Sequence, residues 1–182
     1  MTSTENVRVA SRDWTKKECY VEALRIDPNW GMAWCNLGVA MTGTKTVRVG
    51  SRDLKGKECF AEALRMDPNY TKAWCILGVV LTGTETAAVG SRDWSRKECF
   101  AEALRIDHDC GKTWRQLGAA MTGVDTIRVG SRNVNKRDCL FEALRALIDP
   151  NDHLLGAISP AITTGKTYAR TKEQEGRVLR PF

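Results

Sequence analysis

Histidine is nearly absent from this chain, and several motifs that carry chemistry are missing. The sequence has only two histidines, His108 and His153, and its seven cysteines form no Cys-x-x-Cys pair, so no ligand set for a zinc ion is apparent. No Gly-rich loop carries the Lys-Ser or Lys-Thr of a phosphate-binding P-loop. We therefore expect no metal, no cofactor and no catalytic residue, and we predict that the protein is not an enzyme.

Long apolar runs are missing as well. No stretch approaches the roughly 18 apolar residues of a membrane span, and residues 1–6 lack the apolar core of a secretory signal. Without such a signal, reduced thiols are the expectation. The net charge of +6 favours acidic partners weakly and does not identify a nucleic-acid binder. These features predict a cytoplasmic protein with no membrane partner.

An internal repeat of forty residues organises the chain. We divide residues 1–150 into units 11–50, 51–90 and 91–130 and a partial unit 131–150, and we interpret residues 151–182 as a degenerate remnant followed by a polar, basic tail. Residues that recur at this spacing include the serines at 11, 51, 91 and 131, the glutamates at 22, 62, 102 and 142, and the tryptophans at 34, 74 and 114.

The sequence pattern of each unit predicts two helices and a short extended segment. In the first unit, Thr15 and Glu18 form a capping box for a helix that Pro28 ends. A second helix is predicted from about Trp30 to Met41, because apolar residues recur there at spacings of three and four. The alternating segment 46–54, which turns at Gly-Ser, predicts a small β-hairpin or a long loop.

These patterns resemble the tetratricopeptide repeat (TPR). Trp34-x-x-Leu37-Gly38 is similar to the start of its first helix, Phe60 and Ala63 match its second helix, and 67–69 (Asp-Pro-Asn) is a typical junction. The unit of forty residues is longer than the usual ~34, and Sel1-like repeats are the nearest rival family. The resemblance implies an all-α, right-handed superhelical array of helical hairpins, here with a small β-hairpin or long loop in each unit.

The resemblance also implies which residues build the array. One unit is too small to bury its apolar stripe alone, so units stack on one another. The expected core positions are Trp34, Leu37, Gly38, Trp74, Leu77, Gly78, Trp114, Leu117, Gly118, Ala23, Ala63 and Ala103.

A concave groove lined by the first helices of the TPR-like units is the expected binding site for a peptide or helix. The lysines and asparagines that TPR co-chaperones use to clamp a terminal carboxylate are largely absent, so we expect a protein-binding scaffold or adaptor of another kind. The alternative for the cysteine and valine positions is packing between helices. The expected groove residues are Met32, Cys35, Asn36, Val39, Lys72, Cys75, Ile76, Val79, Lys112, Arg115 and Gln116.

Rows of arginine suggest a second function, RNA binding. One row begins at Arg12 and Arg52 and another at Arg25 and Arg65, and such ladders can follow a phosphate backbone. Acids lie beside both rows, with Asp53 next to Arg52 and Glu22 three residues before Arg25, so an ion-paired surface is the other interpretation. A third alternative is a purely structural duplication without a partner.

The last unit ends without a polar capping helix. Leu140, Phe141 and Leu144 would then stay exposed unless the tail covers them, which predicts self-association through the ends of the array.

Overall fold

The computed structural model describes residues 7–9, 12–41 and 46–147, and every structural statement below concerns these residues. This part of the chain is rich in helix and carries small pairs of antiparallel strands. The helices are α1 (Lys16–Ile26), α2 (Gly31–Ala40), α3 (Gly56–Met66), α4 (Thr71–Val80), α5 (Arg96–Ile106), α6 (Gly111–Ala120) and α7 (Lys136–Arg145). The strands are β1 (Val7–Val9), β2 (Arg12–Trp14), β3 (Val47–Val49), β4 (Arg52–Leu54), β5 (Thr86–Val89), β6 (Arg92–Ser95), β7 (Thr126–Val129) and β8 (Arg132–Asn135).

Each strand pair is a hairpin; the first three precede a helix pair, and β7–β8 precedes the single helix α7. The all-α prediction is thus only roughly right, and of the two forms predicted for the inserted segment the hairpin is the one present. In β3–β4, Val49 faces Arg52, which leaves a loop of two residues, and Gly50 there has a φ of 61°. Such tight loops need left-handed backbone, which glycine adopts without a steric cost.

The hairpins persist because they pack on helices. A two-stranded sheet alone is marginal in water, but β3 contacts α1, β5 contacts α3 and β7 contacts α5. Opposing side chains on one face of β3–β4 point into the core: Val47 and Leu54 are 7% and 4% exposed. The last three hairpins each pack on the helix that begins the preceding helix pair.

Local capping explains where α1, α3, α5 and α7 begin. The capping boxes predicted at Thr15 and Ser95 are confirmed, since each side chain accepts from the N–H three residues on and the glutamate there accepts in return. Asn135 and Asp138 exchange the same two bonds at 3.0 Å each. At Lys55 only half of the box survives, because lysine cannot accept, and its N–H donates to Glu58 Oε2 over 2.7 Å.

The helices pack in chain order, and their core side chains form two clusters. The most extensive contacts are those of α2 with α3, α4 with α5 and α6 with α7, and a hairpin connects the two helices of each of these pairs. The helices that are joined by a short Asp-Pro or Asp-His turn also pack on each other, but less extensively. One core cluster extends from Leu24 to Ala103 and another from Phe100 to Ala143. Helix α5 supplies side chains to both clusters, so each helix pair is buried against its neighbours in sequence.

The described helices and hairpins up to Arg145 belong to one compact unit. The remnant and basic tail predicted for 151–182 lie outside the described residues. Within the described part, none of the helices is long and apolar enough to cross a membrane.

Candidate partner-binding surface

Three tryptophans occupy equivalent places in successive units. Trp34, Trp74 and Trp114 are 6%, 3% and 1% exposed. Their indole Nε1–H groups donate to the carbonyl oxygens of Pro28, Pro68 and His108 over 2.8, 2.8 and 2.6 Å. Each tryptophan therefore fastens its own helix to the turn before it, and the bond satisfies a donor that burial would otherwise leave unpaired.

Two glycines allow the closest helix contacts. A Cβ on Gly38 would lie 2.7 Å from Phe60 Cε1, and a Cβ on Gly78 would lie 2.7 Å from Phe100 Cε1. The contact at Gly118 is looser, because leucine takes the place of phenylalanine and the nearest atom is Cys139 Cβ at 3.2 Å. The predicted core positions Leu37, Leu77, Leu117, Ala63 and Ala103 are 0% exposed, while Ala23 in the first helix is half-buried.

The predicted groove cysteines face neighbouring helices. Cys35 is 0% exposed and interacts with the Tyr70 hydroxyl at the start of α4, and burial raises the pKa of its thiol against the lowering effect of that contact. The expectation that Cys35 contacts a partner is therefore wrong. Cys75 is half-buried, with its sulfur 3.1 Å from Thr113 Oγ1 on α6. The Thr113 hydroxyl in turn donates to Cys110 Sγ over 3.1 Å.

Other predicted groove residues remain accessible. Met32, Val39 and Val79 are 53%, 51% and 49% exposed, whereas other apolar side chains of the same helices are buried. We name the accessible face of α2, α4 and α6 the even-helix surface. Its exposed members are Met32, Val39, Lys72, Val79, Lys112 and Arg115, and its half-buried members are Asn36, Ile76 and Gln116.

The arginine rows are largely neutralised by glutamates. Arg52 and Arg65 both pair with Glu62, at 2.6 and 2.9 Å, although Glu62 is only 11% exposed. Burial alone would raise the pKa of Glu62, but its hydrogen bonds from the two arginines outweigh burial and lower it. Arg132 and Arg145 converge on Glu142 in the same manner, each at 3.2 Å.

Only part of this pairing could be predicted from the sequence. The predicted pair of Arg25 with Glu22 is confirmed at 2.7 Å. For Arg52, however, the adjacent Asp53 is not the partner, since it lies 3.5 Å from Arg48 instead. The hairpin places Arg52 beside Glu62, ten residues later on α3. This ion pair depends on how the hairpin lies against α3, which cannot be read from the spacing in the sequence.

The buried thiols are not arranged for chemistry. Burial raises the pKa of Cys59 and of Cys99 to about 12 and that of Cys139 to about 11, so at neutral pH these groups are protonated and weakly nucleophilic. All seven cysteines are free. Among the described residues, no three histidine, cysteine or acidic side chains come together as a metal site.

The exposed apolar side chains extend to the last described helix. Leu140 and Leu144 on α7 are 44% and 58% exposed, whereas their equivalents Phe100 and Leu104 on α5 are 1% and 0% exposed. The inner helices are covered by the pair that follows them, and α7 has no described helix after it.

Comparison with known proteins gives no match: no protein-family model fits the chain, and no curated protein is similar to it.

Proposed function

We propose that the chain is a superhelical, TPR-like array that binds a protein partner on the even-helix surface. The observation that carries the proposal is the pair of Val39 and Val79, which occupy the same position in successive units and are about half exposed, at 51% and 49%. Apolar side chains repeated along a row of helices suit an amphipathic helix or extended peptide of a partner.

The repeated contacts support an array. The indole bond recurs in three units, and the glycine–phenylalanine contact recurs in two. Contacts that repeat between successive units favour a similar rotation and shift at each step, as in a superhelix. The residues by which the forty-residue unit exceeds the usual TPR length fall in the segment that forms the hairpin.

The charge distribution favours a protein partner over RNA. Arginines that pair with glutamates at 2.6–3.2 Å, as Arg52 and Arg132 do, cannot bind phosphates without losing those pairs. The affinity for RNA would fall steeply as the salt concentration rises, whereas the affinity for a partner bound through apolar side chains would change little. We place the protein in a reducing compartment such as the cytoplasm, where its seven free thiols persist, and we assign it no catalytic role.

The test is recovery of a partner by immobilised chain carrying Val39→Glu and Val79→Glu. Buried carboxylates at an interface are costly unless paired, so we expect loss of the proteins that the unchanged chain retains. The matched control is Val124→Glu, because Val124 is 93% exposed in a turn outside the even-helix surface. Equal recovery by all three forms would contradict the proposal, and recovery of RNA that salt abolishes would favour the alternative.

A further inference from the structure

A cavity of ≈ 480 Å³ opens where the end of α2, the start of α3 and the end of α4 meet. Its apolar walls are Met41, Phe60 and Val80, and Val80 is 43% exposed at the mouth. This volume falls within the range of small-molecule sites, roughly 300–1,000 Å³. The cavity lies at the ends of helices and includes none of the residues that define the even-helix surface.

Gly56 lines this cavity and places no side chain in it. In the next unit the same position is Arg96, whose guanidinium lies 5.8 Å from the centre of the Phe100 ring, the equivalent of Phe60. Lysine occupies it in the first and last units, at Lys16 and Lys136. The second unit alone therefore leaves the space over its phenylalanine without a long side chain of its own.

The mouth of the cavity is positively charged. Lys55, Lys57 and Glu85 line it, which gives a net charge of 2 − 1 = +1. Glu85 is already engaged, because its carboxylate accepts from Thr82 N at 3.1 Å and Thr82 Oγ1 at 2.9 Å and lies 3.9 Å from Lys57 Nζ. The charge of Lys55 also contributes to the lowered pKa of Glu85, so both lysines act on that one carboxylate. An incoming anion would therefore meet two cations and one carboxylate beside an apolar wall.

We propose that this cavity is a binding site for an aromatic or branched apolar group that carries a negative charge. The apolar part fills the space over Phe60 that Gly56 leaves, and the anion meets the Lys55 ammonium. The ligand is a free aromatic anion or an aromatic side chain flanked by carboxylates on a partner, and these two sources share the same chemistry.

The experiment is a fluorescence titration of the full chain with the aromatic anion 1-anilinonaphthalene-8-sulfonate. We expect one saturable site, and binding at least tenfold weaker to Gly56→Arg, which copies the residue found at position 96. A Cβ on Gly56 meets nothing closer than 3.4 Å, so the variant is expected to fold, and its circular dichroism checks this. The converse change Arg96→Gly is expected to create a second site. Unchanged titration by Gly56→Arg, or no binding by the unchanged chain, overturns the proposal.

A second set of titrations tests the charge and the source of the ligand. The uncharged analogue N-phenyl-1-naphthylamine is expected to bind at least tenfold more weakly than the sulfonate, and Lys55→Ser is expected to narrow that difference. Competition by phenyl phosphate identifies a free anion, whereas competition by a terminally blocked Glu-Phe-Glu peptide identifies a partner side chain. If neither competes, or if charge makes no difference, the proposal is wrong.

Discussion

Replacing Gly78 with alanine tests how closely α4 packs on α5. The new Cβ would lie 2.7 Å from Phe100 Cε1 and 2.9 Å from Cδ1, so the ring or the helix must move. Phe100 is 1% exposed, and a ring enclosed in this way has little room to shift. Overpacking costs about 1–3 kcal/mol, and the better helix propensity of alanine offsets about 1 kcal/mol of that cost.

We therefore expect the Gly78→Ala variant to lose up to about 2 kcal/mol in its free energy of unfolding. Urea denaturation followed by circular dichroism measures this loss, and thermal unfolding should show a Tm lower by roughly 2–4 °C per kcal/mol. The matched control is Gly123→Ala, since a Cβ on Gly123 would meet no atom within 4 Å. That variant should change stability by no more than about 0.5 kcal/mol.

A double-mutant cycle identifies Phe100 as the cause. Leucine stands opposite the glycine in the last copy, where a Cβ on Gly118 would meet Leu140 Cδ2 at 3.4 Å. Phe100→Leu should therefore make room for alanine at position 78, and the double variant should be more stable than the sum of the single changes by at least about 0.5 kcal/mol. Additive effects, or a Gly78→Ala protein more stable than the unchanged chain, would refute the packing argument.

Two further predictions concern buried donors and acid stability. Trp114→Phe removes the bond to the His108 carbonyl and should destabilise the fold by about 1–3 kcal/mol in urea denaturation, beyond any effect of Trp94→Phe. Trp94 is the control because its buried Nε1 has no hydrogen-bond partner in the described part of the chain; an equal loss in both variants would contradict the assigned role of the bond. For acid stability, the hydrogen bond from Lys97 lowers the pKa of Asp125 to about 2, so its ionised form stabilises the folded state above the unfolded pKa of about 4. That contribution should disappear as the pH falls from about 4 to about 2, and Asp125→Asn should flatten this part of the acid-unfolding curve; an unaltered curve would count against it.

Much of the fold follows from local features of the sequence. Helix α1 begins after Thr15 and ends before Pro28, and the hairpin β3–β4 turns at Gly50, as the cap, the proline and the glycine predict. These signals act between residues that are close in the chain, so they can be recognised without knowledge of distant neighbours. The four-fold repetition strengthens each signal, because an interpretation made in one unit is tested in the next.

The candidate sites could be predicted only in part. Val39 and Val79 are exposed at the positions expected for a binding surface, but Cys35 occupies the same helix face and is fully buried. Its thiol interacts with Tyr70, which the next unit supplies. A contact between residues 35 positions apart follows from how the units stack, and a helical pattern within one unit does not contain that information.

The amino-acid sequence by itself determined the forty-residue period, the two helices of each unit, the turn at Gly-Ser between them and the next unit, and the apolar stripes, since all of these follow from backbone preferences and spacing within the repeat. Tertiary structure decided that Arg52 pairs with Glu62 and that Gly56 leaves a cavity above Phe60. The physical reason is that pairing and cavities depend on distances between separate elements, and those distances arise only when the helices and hairpins pack together.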